Sequence, residues 1–278
     1  MFVPGDTRRI MRQFGIQPDK RLGQNFLVEQ SALDHILQAA EISQDDVVLE
    51  IGAGLGVLTC ALAARARRVI AIEFDERLLP ALQWTTQSFS NVEIVRGDVL
   101  GMDLDRLTEG MSYKVVANIP YNITSHLIRK LMEASPPAEL VVLTIQLEVA
   151  QRIVAQPGSM SLLALSVQVY GVPRIAARIP SGCFFPRPSV DSAVIRIDVA
   201  SEPPVSASEL TTMFNLARAG FGQKRKQLKN ALSHGMQWTE EKTLDVLTGA
   251  GVDPKTRAQE LRVEQWIQLM QLARGMAD

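Results

Sequence analysis

The sequence predicts an α/β fold with a doubly wound, Rossmann-like sheet, followed by a small all-helical domain. Three observations support this fold class. From residue 47 onward, short runs of β-branched and aliphatic residues alternate with longer helical stretches, as in parallel strands joined by helices. The first of these runs leads into a cluster of glycines, and beyond residue 200 the apolar spacing is helical throughout. We therefore predict a first domain at residues 1–200 and a helical domain at residues 201–278.

The elements of the first domain follow from this alternation, because glycine, proline and polar clusters separate the apolar runs. The predicted parallel strands are Val47–Ile51, Val69–Glu73, Val92–Val95, Lys114–Ala117 and Leu140–Ile145, and a final antiparallel pair is predicted at Arg174–Arg178 and Ala193–Val199. The predicted helices are Ser31–Ala40, Leu55–Ala66, Glu76–Gln87 and Ser125–Ala134.

The C-terminal region begins after a proline-containing linker at residues 201–205. Apolar residues then recur at a spacing that places them on one face of a helix. These residues are Met213, Leu216 and Ala217, and later Leu261, Trp266 and Leu269.

Composition narrows the class of protein. Of the 278 residues, 46% are hydrophobic and 21% are charged, as in ordinary globular proteins. No apolar run approaches the length of a membrane span, and the N-terminus lacks the core of a signal peptide. Cys60 and Cys183 form neither a disulfide framework nor a zinc motif. We expect a cytoplasmic protein that neither binds a metal nor contacts a membrane.

The charge is unevenly distributed. The whole chain carries a net charge of −1, yet residues 1–28 carry +3 and residues 215–235 carry +5. Two basic patches on an acidic body suit a polyanionic partner that is contacted at defined places. They are equally compatible with two solvated surfaces, so charge alone leaves both interpretations open.

The glycine cluster follows the predicted strand Val47–Ile51 directly, with Gly52, Gly54 and Gly56. Glycine at such a turn lets the backbone approach a ligand closely, and nucleotide-like ligands bind at the carboxyl ends of parallel strands. A turn that serves only packing produces the same pattern. The dinucleotide-binding fingerprint requires a glycine three residues after Gly54, where this chain has Val57. The cluster therefore disfavours a dehydrogenase.

Three carboxylates stand near the ends of the predicted strands. Glu73 ends the second strand, where a carboxylate can accept hydrogen bonds from both hydroxyls of a ribose. Asp98 follows the third strand and could accept from an adenine amino group, although by itself a turn or cap residue is the better interpretation. Glu50 precedes the glycines, and we expect it to hold their loop by hydrogen bonds.

The tetrapeptide Asn118-Ile119-Pro120-Tyr121 follows the strand Lys114–Ala117. Its residue types suit methylation of an exocyclic adenine amine, whose lone pair is delocalised into the ring. The Asn118 side-chain oxygen and the Ile119 carbonyl can accept from the two N–H bonds, and proline fixes the backbone so that this carbonyl points into the site. Tyr121 offers a flat face for a base taken out of its stack. We hypothesise that this turn is catalytic.

With these residues in place, the sequence resembles the ribosomal RNA adenine N6,N6-dimethyltransferase family over residues 14–275. The resemblance implies a class I methyltransferase sheet, S-adenosylmethionine as the methyl donor and no metal. It is carried by five motifs, Leu22–Leu27, Leu49–Gly56, Asn118–Tyr121, Phe184–Val194 and Phe221–Lys226.

The resemblance also implies the residues of the site. The expected cofactor-binding residues are Gln24, Asn25, Leu27, Gly52, Gly54, Glu73, Asp98 and Asn118. The expected catalytic residues are Asn118, Pro120, Tyr121 and Phe184, with Tyr121 and Phe184 on either side of the target adenine. The expected RNA-binding residues are Lys224, Arg225 and Lys226, which we predict to lie on a helix where they contact phosphates.

The implied substrate is a pair of adjacent adenines near the 3′ end of small-subunit (16S) rRNA, methylated in the assembling subunit by a monomer. Two segments depart from the family pattern. Leu147 stands where lysine is usual, and residues 160–163 lack a usual Lys-x-Tyr-Gly.

Three alternatives stay open. They are a large-subunit RNA methyltransferase, a ribosome assembly or transcription factor without activity, and a dehydrogenase. The Phe184–Val194 motif and the helical C-terminal domain disfavour the first, the intact tetrapeptide disfavours the second, and Val57 disfavours the third.

Overall fold

The computed structural model describes residues 2–223 and 225–275. These residues form two compact units. Unit 1 combines residues 2–150 with residues 172–201, and unit 2 combines residues 151–171 with residues 202–275. Residues 151–171 therefore pack with the helical unit. The predicted division at residue 200 assigns them to the first domain.

Unit 1 is a sheet with helices on its faces. Its strands are β1 (Phe26–Leu27), β2 (Val47–Ile51), β3 (Arg68–Glu73), β4 (Val92–Arg96), β5 (Lys114–Asn118), β6 (Leu140–Gln146), β7 (Gly171–Ile179), β8 (Phe184–Phe185) and β9 (Ser192–Val199). Its helices are α1 (Thr7–Gln13), α2 (Gln30–Ala40), α3 (Val57–Ala63), α4 (Leu79–Thr86), α5 (Leu104–Thr108) and α6 (Thr124–Met132), and α7 (Leu147–Ile153) continues from unit 1 into unit 2.

Seven strands form the main sheet in the order β4-β3-β2-β5-β6-β9-β7. The pairs β3–β4, β2–β3, β2–β5 and β5–β6 are parallel, whereas β6–β9 is antiparallel. This confirms the predicted Rossmann-like α/β class. The strand order reverses between β2 and β5, and in such sheets ligands bind beyond the carboxyl ends of the strands at this point.

The core of unit 1 explains why its central strands were predictable. All five residues of β2 are buried, because helices cover both faces of the parallel sheet. Helix α4 begins three residues later than predicted. The Asp75 side chain accepts from the Arg77 N–H and forms a turn ahead of the helix, which has Pro80 in its first turn.

Several short elements were not predicted, among them the strands β1 and β8. Strands β1 and β8 pair antiparallel, with Phe26 opposite Phe185 and Leu27 opposite Phe184. Two residues are too few to display a strand periodicity, and the partner is far away in sequence. The pairing therefore appears only in three dimensions.

Unit 2 consists mainly of the helices α8 (Leu162–Gln168), α9 (Ala207–Phe221), α10 (Leu228–Met236), α11 (Glu240–Gly249) and α12 (Val263–Gly275). The side chains of Ser206 and Glu209 form a capping box at the start of α9. The six apolar residues that predicted the helical pattern are all fully buried. Among the described residues, the structure contains no helix with both the length and the apolarity for crossing a membrane.

The prediction that the basic run lies on a helix is wrong for Arg225 and Lys226. Helix α9 ends at Phe221 and α10 begins at Leu228, and the Lys226 N–H donates to the Gln223 carbonyl at 2.9 Å in the turn between them. The two helices pack against each other, so the chain has to change direction here. Lys224 lies outside the described residues.

Candidate active site

A cavity of about 260 Å³ lies in unit 1 at the carboxyl ends of β2, β3 and β5. Its volume is close to the lower end of the roughly 300–1,000 Å³ that is usual for small-molecule sites. All eight expected cofactor-binding residues line it, namely Gln24, Asn25, Leu27, Gly52, Gly54, Glu73, Asp98 and Asn118. The structure thus brings them together, and their individual roles stay predictions.

The glycine loop forms one wall of the cavity and is tied to Glu73. Gly54 has a φ of +60°, a conformation that a residue with a Cβ rarely adopts. Its N–H donates to Glu73 Oε2 at 2.7 Å, and the Asp75 N–H donates to Oε1 at 2.7 Å. Burial raises the pKa of Glu73, while these backbone donors oppose that rise. The carboxylate is therefore fixed in place and keeps acceptor capacity for a ligand hydroxyl.

Glu50 lies at the base of the same wall and is only 1% exposed. We expected it to hydrogen bond the glycine loop, but its Oε2 has no partner among the described residues. Burial raises the pKa of Glu50 to about 8, the nearby Thr59 hydroxyl opposes this rise, and the charge of Glu73 adds to it. Burying an acceptor that has no hydrogen-bond partner costs free energy. A ligand with a cationic or hydrogen-bond donor group would supply this partner, so Oε2 is suited to such a group.

The segment before β1 also lines the cavity and is held by side chains. Gln24 Oε1 accepts from the Asp19 N–H at 2.8 Å, and its Nε2 donates to Asp75 Oδ2 at 2.8 Å. Arg77 pairs with the same carboxylate at 2.6 Å and lowers the pKa of Asp75. We call these four residues the clasp, because they tie the N-terminal segment to the end of β3. Gln24 lines the cavity, yet its amide is already engaged within the clasp.

Asn118 ends β5 and projects toward the same segment. Its Nδ2 donates to the Asn25 carbonyl at 3.0 Å. Since a carbonyl can only accept, this contact fixes the orientation of the Asn118 amide and leaves Oδ1 as its free acceptor. Asn25 in turn donates from its side chain to the Gly23 carbonyl at 3.0 Å. The geometry therefore agrees with a role for Asn118 as an acceptor.

Pro120 and Tyr121 follow immediately and also line the cavity. Gly23 packs so closely against Pro120 that a Cβ on the glycine would lie 3.2 Å from the proline Cβ. Tyr121 is half-buried, and its hydroxyl lies 2.6 Å from Ser192 Oγ. Burial raises the pKa of Tyr121, so the phenol stays protonated near neutral pH. Sequence reasoning missed Ser192, which stood in the sequence only as part of a longer motif.

Phe184 is not brought to the cavity with the other expected catalytic residues. Its side chain is 2% exposed and packs in the core of unit 1, while its backbone pairs with Leu27. The neighbouring Phe185 carries the guanidinium of Arg8 over its ring at 4.9 Å. The placement of the target adenine between Tyr121 and Phe184 stays a prediction.

Two further side chains lie at the cavity. Asp98 is exposed, and its Oδ1 accepts from the Leu100 N–H at 3.0 Å, as expected of a cap residue. Phe74 is 58% exposed although it is large and apolar. Sequence reasoning missed Phe74, because one aromatic residue after a strand carries no distinctive signal. Its ring offers a flat apolar surface beside Glu73.

The metal-ligating residue types are dispersed. Among residues 2–223 and 225–275, His, Cys, Asp and Glu side chains form no group of three or more that could hold a metal ion. Cys60 and Cys183 are both free thiols and both buried.

Comparison with known proteins places these features in context. Residues 16–274 match the family model described as Ribosomal RNA adenine dimethylase. The proteins named Ribosomal RNA small subunit methyltransferase A from Dehalococcoides mccartyi and Pelotomaculum thermopropionicum are 41% and 42% identical. The first alignment covers 94% of this chain and 90% of the relative, and the second covers 95% and 94%.

Two solved structures are also similar. The 23S rRNA methyltransferase ErmE has a TM-score of 0.73 and 29% identity over 89% of this chain and 99% of its own. A dimethyladenosine transferase from Plasmodium falciparum has a TM-score of 0.76 and 26% identity over 87% of this chain and 95% of its own.

Proposed function

Since the chain belongs to the ribosomal RNA adenine dimethylase family, we propose that its substrate is small-subunit (16S) rRNA, at the N6 amines of two adjacent adenines near the 3′ end. The enzyme is an S-adenosylmethionine-dependent rRNA adenine dimethyltransferase. The curated relatives, named for the small subunit, support this choice of RNA.

The cavity fits the methyl donor on the evidence of its own residues. Glu50 Oε2, a buried acceptor on the cavity wall with no partner among the described residues, suits the ammonium group of the amino-acid end of S-adenosylmethionine. Glu73 would accept from the ribose hydroxyls, and Asp98 would accept from the adenine amino group beside the ring of Phe74. Bound there, S-adenosylmethionine supplies a methyl group carried on a positively charged sulfur. An amine can attack this methyl group in line, and the sulfur then leaves as a neutral thioether.

The catalytic turn would act on the target adenine. Asn118 Oδ1, kept free by the contact between Nδ2 and Asn25, would accept from one N–H of the amine. The Ile119 carbonyl would accept from the other, and both contacts favour the pyramidal nitrogen that attack requires. Tyr121 would stack against the everted base. Positioning and electrostatics supply most of the rate enhancement, and the product ammonium loses its proton without a strong base.

The turn between α9 and α10 that carries Arg225 and Lys226, which we call the basic turn, would contact RNA. Arg225 and Lys226 are both exposed, and a turn between helices presents them to phosphates as readily as a helix does. Where the family usually has Lys-x-Tyr-Gly, Met160 is buried and Ser161 caps α8 by accepting from the Ala164 N–H. This segment therefore serves the packing of unit 2, and we propose that phosphate contacts concentrate at residues 224–226.

We further propose that the enzyme works as a cytoplasmic monomer on the assembling small subunit. A single chain supplies all eight expected donor-binding residues to the cavity, which supports a monomer. The proposed substrate is an assembly intermediate of the ribosome, which is a cytoplasmic particle in bacteria.

The observation that carries this proposal is the free Asn118 acceptor beside a cavity that holds every expected donor-binding residue. The test is to incubate the protein with isotopically labelled S-adenosylmethionine and either unmethylated small subunits or large subunits, then map modified adenines by mass spectrometry. We expect label on adjacent adenines near the 3′ end of the 16S rRNA. Label confined to 23S rRNA would overturn the choice of substrate.

That second outcome corresponds to a specific alternative. The solved structure titled 23S rRNA methyltransferase ErmE shares 29% identity and a TM-score of 0.73 with this chain. The higher identity of the relatives named for the small subunit makes 16S rRNA the better-supported substrate.

A further inference from the structure

We propose that Ser192 is a positioning residue for methyl transfer, which fixes the ring of Tyr121 where the target base stacks. The inference rests on the proposed function, because it assigns to Tyr121 the contact with the adenine. Ser192 itself is fully buried and acts through the tyrosine. The observation behind it is the 2.6 Å contact between the Tyr121 hydroxyl and Ser192 Oγ, across 71 residues of sequence.

The sheet topology explains how these side chains meet. Asn118 pairs with Thr144 at the carboxyl end of β6, and Thr144 pairs with Val194 of the antiparallel β9. Because β9 runs in the opposite direction, its first residue, Ser192, lies at the edge where the parallel strands end. The side chain of Tyr121 therefore crosses the end of β6 to reach it.

The backbone at Ser192 is itself immobilised. Ser192 pairs with Gln146 in the β6–β9 ladder. The preceding residue, Asp191, accepts from the Leu147 N–H through its carbonyl at 3.0 Å and from the Ser181 N–H through Oδ1 at 2.9 Å. The hydroxyl thus projects from a fixed point and can serve as an anchor.

The anchor restricts the tyrosine in a specific way. The side chain of Tyr121 rotates about χ1 and χ2, and its hydroxyl lies on the χ2 axis. A hydrogen bond at the hydroxyl therefore fixes χ1, which decides where the ring lies, while packing decides its rotation about χ2. A base stacked on a ring held in this way is presented to Asn118 in one position, and misplacement by about 1 Å can cost on the order of 100-fold in rate.

The experiment compares Ser192→Ala, Tyr121→Phe and the double variant with wild type, and uses the exposed Ser189→Ala as the matched control. Ring signals of ¹³C-labelled tyrosine report on the anchor without any substrate. The chain has only three tyrosines, so Tyr121→Phe assigns its signal by removal. We expect the Tyr121 signal to shift and broaden in Ser192→Ala and to stay unchanged in Ser189→Ala.

Kinetics then separate positioning from a structural role. We expect kcat on small-subunit RNA to fall about tenfold in Ser192→Ala, with little change in KM, since phosphate contacts supply most RNA affinity. The kcat of Tyr121→Phe should fall by a similar factor, because this variant loses the hydroxyl but retains the ring and the serine. That comparison holds even if Ser192→Ala folds poorly. The double variant should be no worse than either single variant.

An unchanged Tyr121 signal in Ser192→Ala would overturn the proposal, as would losses in kcat that multiply in the double variant. The ring signals decide whether the anchor exists even if wild type methylates no small-subunit RNA, a result that would refute the proposed substrate separately.

Discussion

The two sides of the cavity are built in different ways. On the side proposed to hold the donor, Glu73 is bound by backbone N–H groups that lie 2 and 19 residues away in sequence. On the side proposed to receive the base, Asn118 and Tyr121 are held by partners that lie 93 and 71 residues away. The contacts that hold Glu73 are thus local to a strand and its turn, whereas those that hold Asn118 and Tyr121 depend on the assembled fold. We expect substitutions to separate the two.

The largest effect is expected from Asn118→Ala, which removes the acceptor while Glu73 keeps both of its backbone donors. Turnover should fall roughly 100-fold or more, the scale known for removing one positioned hydrogen-bond partner in an active site. Calorimetry should find the donor affinity within a few-fold of wild type. The exposed Asn230→Ala is the matched control. Unchanged turnover would remove Asn118 from the mechanism, and an equal loss of donor affinity would erase the distinction between the two sides.

The complementary change is Glu73→Gln, which keeps the shape of the donor side and removes its charge. Hydrogen bonds to a charged acceptor contribute on the order of 1.5–3 kcal/mol, so the dissociation constant for S-adenosylmethionine should rise about tenfold or more. With saturating donor, kcat should change little. Glu76→Gln, an exposed carboxylate three residues away, is the control. A wild-type dissociation constant in Glu73→Gln would contradict the proposed ribose contact.

Neutralising Lys224, Arg225 and Lys226 together to Gln should affect neither side of the cavity. RNA affinity at moderate salt should fall roughly tenfold, and the salt dependence should flatten by about two to three ions. The exposed arginines Arg67, Arg106 and Arg129 of unit 1, changed together to Gln, give a control of equal charge. If affinity and slope stay at the wild-type values, the basic turn is only a solvated surface.

In protein free of donor, Glu50→Gln is expected to change the stability of the fold and its dependence on pH. The pKa of Glu50 is raised from 4.5 to about 8 in the folded chain. The free energy of unfolding of wild type therefore falls as pH rises from 4.5 to about 8, and above that pH it stays at its lowered value. At pH 5 the variant should melt close to wild type. At pH 9 it should be more stable by up to about 5 kcal/mol, or roughly 10–20 °C.

The exposed Glu148→Gln is the control for this comparison. A difference in Tm between Glu50→Gln and wild type that does not grow with pH would mean that Glu50 is not a buried, ionisable group in the donor-free protein.

The same contrast explains what the sequence could predict. Strand Val47–Ile51 has the predicted bounds, because a doubly covered strand is continuously apolar and glycines mark its end. The donor-side residues Gly54 and Glu73 were found for the same reason. Where hydrogen bonds join residues of one strand and its turn, the apolar run and the glycines that form this unit are visible in the sequence.

The rest depends on contacts that no local pattern encodes. Nothing near Gln24 indicates that its amide joins Asp19 to Asp75, and only the family resemblance drew attention to that segment. The helix expected at Arg225 and Lys226 was wrong, because the packing of α9 on α10 decides where the chain turns.

The clasp has a practical consequence for anyone who shortens or tags this protein. Deleting the first 30 residues would leave the seven-stranded sheet and the glycine loop in the sequence. It would also discard one wall of the cavity and the Asn25 carbonyl that orients Asn118. The same truncation would remove the buried side chains of Ile10, Met11 and Phe26 from the core of unit 1. A shortened enzyme therefore requires a melting curve as well as an activity assay.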